Sequence, residues 1–476
     1  MAKTITIEPV TRIEGHAKVT IRLDDAGNVE QARFHVNEFR GFEKFCEGRL
    51  FYEMPLITER ICGICPVSHH LVSAKAGDEI LGVEPPRPAR LLRELMHMGQ
   101  TIQSHSMHFF ELAGPDLILG FDADPAVRNV VGLYQADPQL TLKAIALRKF
   151  GQDIVGRLGE RRIHPNFAVP GGVCRALSGA DRDAMLAGFE TMIGYAQDGL
   201  TLLKGWMEQH AKELETFAAF PTGYLGMVTD DHAVALYDGA LRMVDTQLKP
   251  VEQFDGRRYL DFIAEHVEDW SYLKFPYYRK FGWPGGAYRV GPLGRLNAAE
   301  KMSTPLAQKE FERFRAVRQG KPVEGSLYYH YARLIENLYA LEHARRLLED
   351  PDILSTDIRT TAWPANCEGV GVIEAPRGTL WHHYWVDEQG RLEKVNLIVA
   401  TGNNNYAMSR AVEEVARQYV HGDRLTEGAL NRVEAAIRAY DPCLSCSTHA
   451  VGRMPFRVEI VAANGAVLRQ IARHPA

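Results

Sequence analysis

Glu59-Arg60-Ile61-Cys62-Gly63-Ile64-Cys65-Pro66-Val67-Ser68-His69-His70 and Asp441-Pro442-Cys443-Leu444-Ser445-Cys446-Ser447-Thr448-His449-Ala450 are the two stretches whose meeting decides how this chain folds. Each carries a Cys-x-x-Cys pair and, three or four residues after its second cysteine, a histidine. Thiolate is the soft ligand that holds zinc, iron–sulfur clusters, copper or nickel. Structural four-cysteine zinc sites usually keep their two pairs within about 15–20 residues. Here almost the whole chain lies between Cys65 and Cys443, which favours a site assembled by the global fold. A redox dithiol is a further reading, but no thioredoxin-like βαβ pattern surrounds either pair. Four thiolates bring four negative charges into a buried site, and two divalent ions balance them where one does not. Arg60 can help in either case, and His69 and His449 can donate a ring N–H to a sulfur or bind a second ion.

The totals exclude several classes of function. The chain has 476 residues, 46% hydrophobic and 24% charged, with a net charge of -5, an ordinary composition for a soluble protein. That balance gives no electrostatic case for nucleic acid or an anionic membrane surface. No apolar run approaches the roughly 18–20 residues of a membrane span, and the N-terminus carries no signal-peptide pattern. Seven cysteines are too few for a disulfide framework at this length, so a reducing, cytoplasmic setting is expected. Cys46, Cys174 and Cys367 stand alone and read as small hydrophobes.

Residues 3–38 read as β-strands around a turn at Asp24–Asn28, with Pro9–His16 as a polar connector. Three helical runs follow: an apolar stripe from Leu91 to Leu112, a run from Asp181 to Phe217, and a run from Ser326 to Leu348. They predict a bundle core. Residues 218–300 read as loops and short strands, 369–400 as strands with Gly390 in a turn, and about 408–440 as one last helix. The expected fold class is therefore α+β, mainly α, with a central long-helix bundle, peripheral β segments, and a metal site buried between the N- and C-terminal motifs.

Taken together, the motifs resemble those of nickel–iron hydrogenase large subunits. The resemblance covers essentially the whole chain and adds Val10-Thr11-Arg12-Ile13-Glu14-Gly15-His16, Arg40-Gly41-Phe42-Glu43, Pro170-Gly171-Gly172-Val173, Tyr288-Arg289-Val290-Gly291-Pro292-Leu293 and Glu374-Ala375-Pro376-Arg377-Gly378 to the cysteine pairs. The wording around Cys65–His70 is most similar to the cytosolic, NAD-linked bidirectional branch. The resemblance implies an enzyme that reversibly splits H2 heterolytically into protons and electrons. It makes Cys62 and Cys443 terminal nickel ligands, and Cys65 and Cys446 bridges from nickel to an iron carrying carbonyl and cyanide ligands.

It also implies the remaining roles. Glu14 would carry the proton from a terminal cysteine, a task that needs a partly buried carboxylate; read alone, it is a helix-cap or surface residue. Arg377, after Pro376, would overhang the metals and compensate charge. Asp116 would pair with that arginine, or else simply end a helix. Thr401 would face a cyanide ligand, and His69 would hydrogen-bond a bridging sulfur. Glu43, His449 and the carbonyl of Leu397 would hold magnesium or a similar divalent ion, although Glu43 could instead pair with Arg40 or Lys44. Partners implied are a small subunit carrying iron–sulfur clusters, a diaphorase module binding NAD, nickel-insertion chaperones and a maturation endopeptidase. The last would cut between His449 and Ala450, leaving residues 1–449 as one domain and removing the extension 450–476, in which strands and an Asn464-Gly465 turn are expected. Competing readings are a non-catalytic homologue, which would lack the cysteine pairs, and a zinc-binding assembly protein.

Overall fold

In the computed structural model of the chain, residues 3–36, 38, 40–317, 319–422, 425–449, 456–461 and 467–473 are described. The core is helical. Four helices form a bundle: α2 (Arg87–Ser106), α3 (Pro138–Gly159), α4 (Phe189–Gln209) and α5 (Tyr328–Glu349), with α1 (Pro66–Leu81) lying ahead of them in the chain. Leu92, Leu95, Met98 and Ile102 of α2 are buried at helical spacing, as the apolar stripe requires. Where α2 meets α3 the backbones nearly touch: a Cβ on Gly151 would lie 2.4 Å from the Gly99 carbonyl. Only glycine permits that approach.

Among the described residues, three sheets of three or four strands wrap this bundle, beside three two-stranded ones. Lys3–Ile7, Lys18–Leu23 and Val29–His35 form an antiparallel sheet, as the alternation in residues 3–38 predicts. A four-stranded sheet is built from the 218–300 region. Glu368–Ala375, Gly378–Val386 and Leu392–Ile398 form the third, antiparallel and packed on α1. At that contact Gly371 would place a Cβ 2.0 Å from the Val72 carbonyl.

Three helical assignments change. The 91–112 run does not end as a plain helix: α2 passes into a π-helical turn, Met107–Ala113, whose Leu112 carbonyl accepts Arg12 Nη1 at 2.7 Å. The 181–217 run is three helices, broken at Gly188, where a Cβ would meet the Phe150 ring at 2.6 Å, and at His210. The expected 408–440 helix is two, α6 (Asn405–Tyr419) and α7 (Glu427–Arg438). Between them Gly422 docks its N–H on the Gly27 carbonyl at 2.9 Å, and Thr426 caps α7 through the Ala429 N–H. Finally, α1 carries no pattern because nearly every one of its residues is buried.

In the extension, Phe456–Val461 and Val467–Arg473 pair as an antiparallel hairpin, the strands expected there. The Asn464-Gly465 turn and Ala450 lie outside the described residues.

Candidate metal centre

The first cysteine pair sits on a single turn leading into α1. Glu59–Ile61 makes a short 3-10 turn, Cys62 is extended, and Cys65 precedes Pro66 at the helix start. The loop turns back so that the N–H groups of Ile64 and Cys65 approach Cys62 Sγ at 3.2 and 3.5 Å. The second pair follows α7 through Asp441, which sits at φ 54, and Pro442.

Glu14 ties the two ends together. It bridges Cys443 in parallel register, its carbonyl accepts the Leu444 N–H at 3.1 Å, and its carboxylate accepts the Ser445 N–H at 3.0 Å. Gly15 must have no side chain for this to happen. Its φ is 84, and a Cβ there would lie 2.7 Å from Leu444 Cβ.

The four thiols of Cys62, Cys65, Cys443 and Cys446 meet within 4.8 Å of one another, all buried. Sγ–Sγ distances are 3.2 Å for Cys62–Cys443, 3.5 Å for Cys65–Cys446 and 2.8 Å for Cys443–Cys446, and no disulfide joins them. Hydrogen bonds from Cys443, Cys446 and Cys65 pull the Cys62 thiol well below its ordinary pKa. Burial and the neighbouring sulfurs push Cys443 and Cys446 well above theirs. Cys62 is thus readier to ionise than Cys443 and Cys446, which hold their protons until a cation replaces them.

Arg377 supplies fixed positive charge beside the sulfurs. It comes from the corner between two strands of the third sheet, donating Nε to the Asp441 carbonyl at 2.6 Å and Nη2 to Asp441 Oδ1 at 2.9 Å. Its Nη1 is buried with no partner among the described residues. Burial opposes its charge, but Asp441 and the cysteines outweigh that and raise its pKa well above the usual value. A cavity of about 10 Å³ is lined by Arg377, Thr401, His69, Cys65, Cys443 and Cys446, with Ala375, Leu380, Val399 and Ala400 as apolar wall. That is room for one water-sized group.

The other predicted residues fall as follows. Thr401 Oγ1 accepts the Cys443 N–H at 2.9 Å. Pro376 turns the chain just before Arg377, and its carbonyl accepts Arg295 Nη2 at 3.2 Å. His69 bonds His382 through Nδ1 at 3.0 Å; no bond from it to a sulfur is among the described contacts. Glu43 Oε1 meets His449 Nδ1 at 2.9 Å and accepts the Leu397 N–H at 2.8 Å, which brings the three expected ion-holding residues together. Burial raises the Glu43 pKa, but His449, Lys274 and that N–H outweigh it and hold it below the ordinary range.

Asp116 is a correction. It does not pair with Arg377, whose partner is Asp441; it pairs with Arg12, Arg438 and Asn431. Burial raises its pKa, and the Arg438 and Arg12 guanidiniums more than reverse that. Sequence reading misses Asp441, although it stands inside the second motif. It misses His382 and Tyr384 altogether, since nothing in Trp381-His382-His383-Tyr384 marks them apart from a buried strand.

Four buried, unbridged sulfurs beside a guanidinium with one N–H group left unpartnered among the described residues suit soft divalent metal, with nickel and iron within that class. Comparisons with known proteins point the same way. The family described as nickel-dependent hydrogenase matches residues 40–141 and 189–449, and one described as HoxL-like matches residues 4–39. The beta subunit of the NAD-reducing hydrogenase HoxS of Cupriavidus necator is 45% identical over 99% of this chain and 100% of its own. A vhu-type F420-non-reducing hydrogenase subunit of Methanococcus voltae is 46% identical over 87% of this chain and 98% of its own. A crystal structure of an NAD+-reducing [NiFe]-hydrogenase in the H2-reduced state superposes with a TM-score of 0.91 at 43% identity, covering 94% of this chain and 99% of that one.

Proposed function

The chain belongs to the nickel-dependent hydrogenase family, and we propose that it is the catalytic subunit, splitting H2 into protons and electrons, with the electrons leaving through an iron–sulfur partner to NAD. The observation that carries this reading is the convergence of two thiol pairs from opposite ends of the chain into one buried four-sulfur set.

Cys62 and Cys443, which face each other, would bind nickel terminally; Cys65 and Cys446 would bridge it to iron. A small cavity opens beside Cys65, Cys443 and Cys446. An iron with carbonyl and cyanide ligands would be held by Cys65 and Cys446. Such a pair, when bound, supplies a soft, electron-rich centre able to polarise H2.

The chain's own residues then divide the remaining work. Glu14, fixed against Ser445 beside Cys443, is the proton carrier: partly buried, it can take a proton from the sulfur side and pass it outward. Arg377 offsets sulfur charge and points its unpaired Nη1 at no other described group. Thr401 spends its oxygen on the Cys443 N–H and keeps its O–H free for a ligand in the cavity. Glu43, His449 and the Leu397 carbonyl would hold a magnesium-type ion near the C-terminal motif, with solvent completing the shell. Among the described residues there is no other cysteine cluster, so electron exit requires a partner with its own clusters, and NAD reduction a further diaphorase module. No helix of the described residues is long and apolar enough to cross a membrane.

Maturation belongs to the same reading. Residues 1–449 would be the working domain, with the extension 450–476 removed by an endopeptidase after chaperones load nickel. The match to the nickel-dependent hydrogenase family stops at residue 449, where that cut is expected.

The test is Glu14→Gln in the assembled enzyme. Metal content should stay unchanged while H2-dependent reduction of a viologen dye falls on the order of 10²–10⁴-fold. Unchanged turnover would remove Glu14 from the proton route.

A further inference from the structure

Arg295 is buried, and every N–H of its guanidinium is in use. Nε and Nη2 form a fork on Glu336, at 2.6 Å to each carboxylate oxygen, and Nη1 meets Glu374 Oε2 at 2.7 Å. The two remaining N–H groups go to consecutive backbone carbonyls, Nη1 to Ala375 at 3.0 Å and Nη2 to Pro376 at 3.2 Å. The five donors of the side chain thus find five acceptors. The next residue in the chain is Arg377.

Both carboxylates are themselves fixed. Glu336 stands on α5, and its Oε2 also meets His105 Nε2 of α2 at 3.0 Å. Glu374 Oε1 accepts the Thr379 hydroxyl at 2.7 Å and the Met227 N–H at 3.2 Å. Glu374 and Thr379 face each other across the strand pair, one on each side of the corner that carries Arg377. That corner sits on the start of the helix Gly291–Ala298, which bears Arg295. A Cβ on Gly291 would lie 2.8 Å from the Arg377 carbonyl, and one on Gly378 2.1 Å from Val290 Cγ2. Burying three charged groups is costly, and packing alone is served as well by apolar residues. Apolar residues cannot grip two neighbouring carbonyls, and neither can the single ammonium of a lysine, which lacks the planar fork.

We propose that Arg295, oriented by Glu336 and Glu374, is a positioning residue: it clamps the Ala375 and Pro376 carbonyls and so holds Arg377 in the wall of the four-sulfur cavity. Asp441 fixes the far end of the Arg377 side chain, and Arg295 fixes its root. The effect on turnover rests on the nickel–iron reading; the effect on the corner does not.

The experiment uses Arg295→Lys, which keeps the charge and loses the fork, and Glu336→Gln, which keeps the shape and weakens one arm. In the full, metal-free chain, hydrogen–deuterium exchange read by mass spectrometry should speed up about 10-fold across residues 375–380 in Arg295→Lys. The rise should be smaller in Glu336→Gln, with α3 and the N-terminal sheet at wild-type rates in both. No change at 375–380, or an equal rise everywhere, would reduce Arg295 to a core ion pair and overturn the proposal. In the assembled enzyme, Arg295→Lys and Arg377→Lys should each keep the metals and slow H2-dependent dye reduction about 10–100-fold. Because one acts through the other, the double variant should be about as slow as Arg377→Lys alone; losses that multiply would also overturn the proposal. Should Arg295→Lys not fold, Glu336→Gln carries both arms. If exchange rises only at the corner while wild type turns over no H2, the clamp stands and the nickel–iron reading falls.

Discussion

Glu14 is held to the second cysteine pair by its carbonyl and its carboxylate at once, which makes it the residue whose loss should separate chemistry from assembly. Asp116 should behave in the opposite way. It faces three guanidiniums at a buried position, Arg12 and Arg438 closely and Arg128 at 3.6 Å. Asp116→Ala leaves them without their shared partner and should cost about 3–5 kcal/mol in denaturant unfolding. Glu59 gives a pH-dependent case. Its Oε2 is buried without a hydrogen bond, 3.7 Å from His70 Nδ1, and burial, only partly offset by Arg60, raises its pKa from 4.5 to about 7. A carboxyl with a raised folded pKa favours the fold below pH 4.5 and costs stability as pH rises through 7. Glu59→Gln should therefore unfold at the same denaturant concentration as wild type near pH 4, yet gain about 1–2 kcal/mol at pH 8. An equal difference at both pH values would contradict the assignment.

At the scale of elements, the site depends on two close approaches. Gly15 lets the N-terminal connector lie against Leu444, so Gly15→Ala should cost about 1–3 kcal/mol. Because the strain falls on the second cysteine loop, nickel retention should drop while far-ultraviolet helix content stays constant; retention equal to wild type would show that Leu444 can move freely. The third sheet and α1 place Arg377 and the first cysteine pair, and this is where sequence legibility divides. The strands at 3–38 are readable because buried residues alternate with more exposed ones, and the stripe on α2 because its buried leucines recur at helical spacing. The strands at 369–400, largely buried on both faces, are marked instead by their β-branched and aromatic residues around the turn at Gly390. Helix α1 is buried all round, so Pro66–Leu81 has no period to find. The π-helical turn at Met107–Ala113 and the break between α6 and α7 arise from tertiary contacts, Arg12 on Leu112 and Gly27 on Gly422, which local propensity does not encode. The same holds for Arg377: its motif is legible, but its partner Asp441, distant in sequence, shows only when the two ends of the chain are brought together.

For the whole molecule, the fold is a closure of the chain's two ends over a helical core, with the metal centre at the seam. His449 is buried there, its carbonyl accepting the Glu43 N–H at 3.2 Å, so the C-terminal motif is part of the wall rather than a loose end. Mass spectrometry of active enzyme should find a C-terminus at His449, and full activity in a chain retaining residues 450–476 would contradict that account of maturation. The central claim, that the four sulfurs from both ends hold a nickel–iron pair, is tested most directly by metal analysis joined to nickel X-ray absorption on the purified, processed protein. The account predicts about one nickel and one iron per chain with a nickel shell dominated by sulfur, lost in Cys443→Ser. Zinc alone, or nickel bound mainly by nitrogen and oxygen, would contradict it.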